Sequence, residues 1–205
     1  MSKVDFKKTH KELYNPPMRF VVVDVPEMQF LMVDGHGNPN TAQEYQDALE
    51  ALYAVAYKLK FNSKKKLGKD YIVPPLEGLW WAEDMDTFTS ARDKSQWDWT
   101  MMIMTPDWVK ASMFSEALAQ VQKGKNPASL GIVRLESYHE GLSVQILHVG
   151  SYDDEGPKLA KMHQDFIPEN GYVMIGKHHE IYLSDPRRVP AEKLKTVLRQ
   201  PVRRA

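Results

Sequence analysis

The chain has 205 residues, enough for a sizeable core, and its 42% hydrophobic and 26% charged content is that of an ordinary folded domain. Basic and acidic residues balance at 27 each, so net charge gives no reason to seek nucleic acid. With no cysteine, disulfide scaffolds, thiolate zinc sites and cysteine nucleophiles are excluded.

The N-terminus lacks the apolar stretch of a signal peptide, and no run reaches 18 apolar residues; a cytoplasmic bacterial protein with no membrane partner is expected. Residues 1–18 are polar and end in Asn15-Pro16-Pro17, which predicts an extended lead-in before a single domain over 19–205. "RFVVVDV" and, after Pro26, "MQFLMVDGHG" read as two strands, the second closing in Gly35 and Gly37. From Thr41, apolar residues at Tyr45, Ala48, Leu49, Leu52, Val55, Ala56 and Leu59 give helical spacing. Thr41 followed by Glu44 suggests a capping box, and the helix is expected to stop before a lysine-rich loop around Lys64–Lys66 and Lys69.

"DYIVPPLEGLWWAE" reads as a strand interrupted by Pro74 and Pro75, and a polar linker covers 84–96. "WDWTMMIMTP" is the next strand, and "DWVKASMFSEALAQVQKG" a second amphipathic helix. "IVRLESYHEGLSVQILHVGSY" reads as two strands turning near Glu140-Gly141. "DEGPKLAKMHQDFIPENG" is a third helix with Pro157 near its start and with Asp153, Asp154 and Glu155 as an acidic cluster suited to the helix dipole. "YVMIGKHHEIYLSD" carries the last strand or hairpin; beyond Pro186 and Pro190, Arg199, Arg203 and Arg204 read as a solvated basic tail.

The order suggests two strand–helix–strand groups, over about 19–105 and 106–205, each opening on a strand pair that ends in a glycine turn. Strands with helices on one face predict an α+β fold: duplicated β-α-β-β units with pseudo-two-fold symmetry, a curved antiparallel sheet and a ligand cleft where the halves meet.

Within "HHEIYLSD", alternation puts His178, Glu180 and Tyr182 on one side and His179, Ile181 and Leu183 on the other. The apolar pair is expected on the helix-packed face, which leaves Glu180 and Tyr182 on the open, concave side, either in plain solvent or in a cleft. Five Trp and nine Tyr exceed what one core of this size needs. A cleft walled by Trp80, Trp97, Trp99, Tyr138, Tyr152 and Met32 would suit planar, hydrophobic or cationic molecules. A carboxylate there either pairs with a cation or, when desolvated, serves as a general base.

"PLEGLWW" (75–81), "WDWTMMIMTPDWV" (97–109), "QILHVGSYDDEGP" (145–157) and "HHEIYLSDPRRV" (178–189), in that order, resemble the GyrI-like small-molecule-binding proteins, and within them the stand-alone bacterial subgroup. The resemblance implies a duplicated β-α-β-β unit with a cleft between halves and places the family's central glutamate at Glu180. It also implies hydrolysis of cyclopropane-bearing genotoxic compounds: Glu180 would deprotonate water, Tyr182 or Tyr138 would donate a hydrogen bond to the substrate's carbonyl, and a Trp would stack on its ring. The alternatives are a drug-binding or sensing protein without catalysis, and a gyrase-inhibitor-like partner of another protein.

Other patterns are weaker. His178 and His179 face opposite ways on a strand, so only one can join Glu180, and neither a metal nor a cofactor is expected. "GHGNPN" reads as a turn, Ser151 as a loop residue outside any nucleophile elbow, and Glu77 as a partner for backbone or a basic side chain. Oligomeric state leaves no mark in the sequence.

Overall fold

A computed structural model describes residues 3–83 and 93–205. Its framework is two copies of one unit. The first runs β1 (Val21–His36), α3 (Gln43–Leu67), β2 (Leu76–Trp81) and β3 (Asp98–Thr105); the second runs β4 (Arg134–Val149), a helical segment (Gly156–Glu169), β6 (His178–Tyr182) and β7 (Lys195–Arg204). Two helical turns, α1 (Phe6–Thr9) and α2 (Lys11–Tyr14), precede them; α4 (Ala111–Lys123) links them, and the short β5 (Tyr172–Met174) flanks β7. The second unit's helical segment comprises α5 (Gly156–Ala160), a wide π-helical turn at Lys161–Phe166 and α6 (Ile167–Glu169).

The named strands pair antiparallel, in the order β4-β1-β3-β2-β6-β7, and β7 pairs back onto β4. The curved sheet thus closes into a six-stranded barrel, with the halves joined at the β2–β6 and β1–β4 seams. Paired residues share a face. On the outer face Leu31, Val33, Trp99, Met101, Ile103 and Trp80 pack under α3 through Ala48, Leu52 and Val55. Val144, Ile146 and Leu198 pack under Met162 and Ile167 of the second helical segment. The expected α+β duplication with helices on one face is what the chain builds.

The barrel interior holds Phe30, Met32, Leu79, Met102 and Met104 near one end. Next to them lies a buried ionic cluster. His179 bridges Glu77 and Glu140 at 3.0 Å each, Arg199 pairs with Glu140 at 3.0 Å, and the Tyr14 hydroxyl donates to Glu77 at 2.8 Å. Two carboxylates face two cations, so the cluster is neutral when His179 is protonated. Burial alone would lower the His179 pKa, but Glu140 and Glu77 hold it up at about 9. Burial likewise pushes Glu140 up, and His179 and Arg199 overcome that and bring it to about 2.

Several expectations are corrected. Residues 3–15 are not an extended lead-in: Val4 bridges to Tyr71, and Leu13 and Tyr14 are buried, with the Leu13 carbonyl accepting from Arg199 and that of Glu12 from Gln145. Arg199 is therefore no tail residue. It lies on β7, a strand missing from the sequence reading because Arg199, Gln200 and Pro201 interrupt its apolar alternation.

Pro26 does not divide the first strand; it falls where β1 pairs with β4 alone, before β3 joins at Gln29, and an edge position tolerates a missing N–H. Gly141 (φ +71°) kinks β4 without ending it. No capping box forms at Thr41, and α3 runs through the lysines to Gly68, whose left-handed conformation ends it. Lys60 and Lys64 pair with Asp70, and Lys66 with Glu116, so the basic run is a helix face. The 84–92 part of the expected linker lies outside the described residues.

Candidate functional site

The site forms on the outer face of the β2–β6 seam, between the two helical layers. Here the register sets Gly78 opposite Glu180, Leu76 opposite Tyr182 and Trp80 opposite His178. On the other side of β6, Leu198 faces Glu180 and Thr196 faces Tyr182. The inner-face pair is His179 and Ile181, so the expected orientation of Glu180 is reversed: it lies on the helix side, because the inner face of a closed barrel takes Ile181 and Leu183.

A hydrogen-bonded chain fixes the carboxylate. The Trp80 indole N–H donates to the Tyr182 hydroxyl at 3.0 Å, and that hydroxyl donates to Glu180 Oε2 at 2.7 Å. His178 Nε2 stands 3.5 Å from Glu180 Oε1. The Glu180 side chain is 16% exposed, so it is not in bulk water, and no arginine pairs with it among the described residues. Gly78 makes this geometry possible: a Cβ there would lie 2.8 Å from Trp80 Nε1, so only glycine leaves room for the indole to lie over β2. Burial, followed by the Glu180 charge, pushes the Tyr182 pKa well above its ordinary value; Tyr182 keeps its proton.

Rings enclose the chain. Tyr45 of α3 stacks near Trp80 (centroids 6.4 Å apart), Trp97 meets Trp80 edge-on at 5.7 Å, and Tyr152 meets Tyr182 edge-on at 5.7 Å. Tyr152, 36% exposed, also lines a cavity of about 250 Å³ with Lys94, Pro186, Val189 and Leu194. Through Tyr152 this cavity lies one ring away from Tyr182.

A second carboxyl lies alongside. Glu155 is only 4% exposed, and burial first, then the charge of Glu180, raises its pKa to about 10. Lys158 and Lys94 pull in the opposite direction, but Glu155 holds a proton at neutral pH. His163 from the π-helical turn packs edge-on against His178, and burial together with His178 lowers its pKa to about 4. Glu155 Oε1, Thr196 Oγ1, His163 Nε2 and both ring nitrogens of His178 are buried without a hydrogen-bond partner among the described residues. Buried polar atoms are ordinarily satisfied, so this concentration around one carboxylate marks a place built to receive something polar.

Of the residues singled out from sequence, the structure brings Glu180, Tyr182, Trp80, Trp97 and Tyr152 together. Trp99 is on the same face but fully buried over Gly35, its indole N–H donating to the Gly37 carbonyl, so it supports the wall without lining it. Met32 and Tyr138 are not part of this cluster; both belong to the opposite, inner face of the barrel. Glu155, Tyr45, Thr196 and His163 went unnoticed as site residues. Glu155 resembled a helix-start acid and Tyr45 one more apolar position of a helix stripe, and neither carries a separate sequence signal. Glu77 has the basic partner expected of it, His179. Among the described residues no cluster of three or more His, Asp or Glu could hold a metal, and no helix is long and apolar enough to cross a membrane.

No functionally curated protein matches the sequence. Among solved structures, an uncharacterized conserved protein from Listeria innocua is 42% identical, with 98% of this chain and 100% of that one covered at a TM-score of 0.89. A hydrolase from the same organism is 41% identical over the same shares at a TM-score of 0.87. The C-terminal domain of EcmrR, 13% identical with 91% of this chain and 98% of that one covered, shares the fold at a TM-score of 0.58. The model of the GyrI-like small molecule binding domain matches residues 18–203, nearly the whole chain, and the protein belongs to that family.

Proposed function

We propose that this protein takes planar, hydrophobic or cationic small molecules into the crevice between its halves and hydrolyses strained electrophiles among them, above all cyclopropanes fused to a conjugated dienone. The carrying observation is the Trp80–Tyr182–Glu180 chain, which holds one carboxylate at a set angle among aromatic rings. Family membership supports small-molecule binding, and the likeness to Listeria hydrolases at 40–41% identity supports hydrolysis.

The chemistry asks little of the protein. Opening the cyclopropane relieves strain and turns the dienone into an aromatic phenol, so the task is to place a water and take its proton. Glu180 does both: it accepts the proton as the water oxygen bonds to the strained carbon. The Tyr182 proton is already committed to Glu180, so Tyr182 aims the base and does not polarise the substrate. Faces of Trp97 and Tyr152 bracket the planar ring system against the buried Trp80, and a cationic ring gains further from the Glu180 charge.

Incubation with a cyclopropane-fused cyclohexadienone, followed by mass spectrometry, tests the reading. A gain of one water with the wild type and none with Glu180→Gln supports it, provided the variant still binds the compound by tryptophan quenching. A compound that binds and stays chemically intact assigns the crevice to sensing or sequestration. Co-purification of a protein partner that is indifferent to the ligand points to inhibition of that partner.

A further inference from the structure

The dienone's oxygen needs a partner. As the cyclopropane opens, an electron pair flows through the ring to the carbonyl oxygen, and this oxygen lies at the far end of the ring from the carbon that water attacks. The base and the group receiving that oxygen must therefore be set apart by more than a hydrogen bond. Tyr182 cannot serve, because its single proton points to Glu180.

One position in the crevice fits. Thr196 is the residue opposite Tyr182, on the same outer face as Glu180 and diagonal to it across the β6–β7 pair. Diagonal neighbours stand roughly 7–8 Å apart. Thr196 is fully buried, and among the described residues its hydroxyl has no partner; Glu155, buried beside it, has Oε1 equally unpartnered. The hydroxyl is near enough to favour the ionised form of Glu155 without completing a hydrogen bond to it. Two oxygens capable of donating thus sit together, buried and unpartnered among the described residues, one strand over from the base. Buried donors that lack a partner in the free protein are what an oxyanion-binding site presents.

Building on the hydrolytic reading above, we propose that Glu155 and Thr196 receive the carbonyl oxygen of the substrate and that Glu155 is the catalytic acid that protonates it. The step balances without any co-reactant. Water loses a proton to Glu180 and its oxygen bonds to the strained carbon; the carbon–carbon bond of the cyclopropane breaks. The released pair ends on the ring oxygen, which takes the proton of Glu155. One water has been added, Glu180 carries a proton and Glu155 a charge; passage of the proton from Glu180 back to Glu155 restores the starting state.

The groups that face Glu155 suit the role. Burial and then the charge of Glu180 on β6 keep the proton on, and Tyr182 and Tyr152 adjoin the same carboxyl. Lys158 on α5 and Lys94 ahead of β3 ease the charge once the proton has left. Lys158 is itself held by His148 of β4, with Nζ 3.0 Å from Nδ1. Because its carboxyl keeps the proton up to about pH 10, Glu155 is a loaded acid throughout the physiological range.

The test uses the whole protein, a cyclopropane-fused cyclohexadienone and three forms: wild type, Glu155→Gln and Thr196→Val. Expected is an alkaline fall in wild-type kcat near pH 10, a loss of ~10²–10⁴-fold in kcat for Glu155→Gln with that alkaline limb gone, and a smaller loss for Thr196→Val. KM should change little. The Gln variant should melt at or above the wild-type temperature at pH 8. The sign follows from a folded pKa raised above the ordinary carboxyl value: the stability linked to Glu155 is full at acid pH and is lost as pH rises through about 10. A wild type that turns over while Glu155→Gln keeps both its kcat and its alkaline limb overturns the acid role alone. A wild type that leaves the dienone intact overturns the hydrolytic reading and this role with it.

Discussion

Replacing Gly78 by Ala tests whether the Trp80–Tyr182–Glu180 chain depends on a missing side chain. Gly78 does not occupy the left-handed region, so alanine meets no backbone penalty and the effect is purely steric. The new Cβ would stand 2.8 Å from Trp80 Nε1 and 3.2 Å from both Trp80 Cε2 and Met101 Sδ. Ordinary contact begins at 3.4 Å, so the indole has to move by about 0.6 Å. Its hydrogen bond to Tyr182 is 3.0 Å long and would be stretched to the limit or lost.

Overpacking costs about 1–3 kcal/mol and the hydrogen bond about 1 kcal/mol. For a chain of this length a loss near 2 kcal/mol lowers Tm by roughly 4–8 °C. With Tyr182 no longer anchored, Glu180 should lose its angle, and turnover should fall on the order of tenfold, equivalent to about 1.4 kcal/mol. Thermal denaturation, tryptophan emission and dienone hydrolysis read out the three effects. Gly131→Ala is the control, since nothing lies within 4 Å of its added Cβ. Wild-type melting, emission and turnover in Gly78→Ala would refute the claim that glycine at this position sets the site.

Other predictions concern the same chain and the ionic interior. Tyr182→Phe strands the Trp80 N–H and removes a donor from Glu180; stability should drop by about 1–3 kcal/mol and turnover by tenfold or more, and an unchanged rate would show that Glu180 needs no anchor. Glu140→Gln leaves His179 and Arg199 short of a counter-charge and should cost roughly 3–5 kcal/mol in urea unfolding at pH 6. The linked pH profile has two limbs. The depressed Glu140 contributes stability that is present above its ordinary pKa of 4.5 and lost as pH falls toward about 2. The elevated His179 contributes stability that is present below 6.5 and lost as pH rises through about 9. Wild-type stability should therefore peak between these ordinary values, and Glu140→Gln should flatten the acid limb; an acid limb equally steep in the variant would place its origin elsewhere.

The duplication was legible because each half repeats a strand, a helix and two strands with glycine turns after the first strand, and local pattern suffices to see that. Closure of the barrel was not. It depends on β7, whose Arg199 and Pro201 break the apolar alternation, and on Leu13 and Tyr14 filling the interior from a segment that reads as polar. Alternation correctly put Glu180 and Tyr182 on one face, but the choice between faces failed for a physical reason. In an open sheet the apolar pair Ile181 and Leu183 would seek the helices, whereas a closed barrel offers them a second core. The same closure carries Met32 and Tyr138 away from Glu180. Glu155 eluded the sequence reading because only the tertiary contact with β6 and β7 distinguishes it from Asp153 and Asp154, its exposed neighbours.

Single-turnover hydrolysis of a cyclopropane-fused cyclohexadienone in oxygen-18 water, with wild type and Glu180→Gln side by side, measures the central claim most directly. The account predicts one heavy oxygen on the former cyclopropane carbon of a phenolic product with the wild type, and unreacted bound dienone with the variant. Label incorporation at equal rates by both proteins, or none by the wild type, would contradict it.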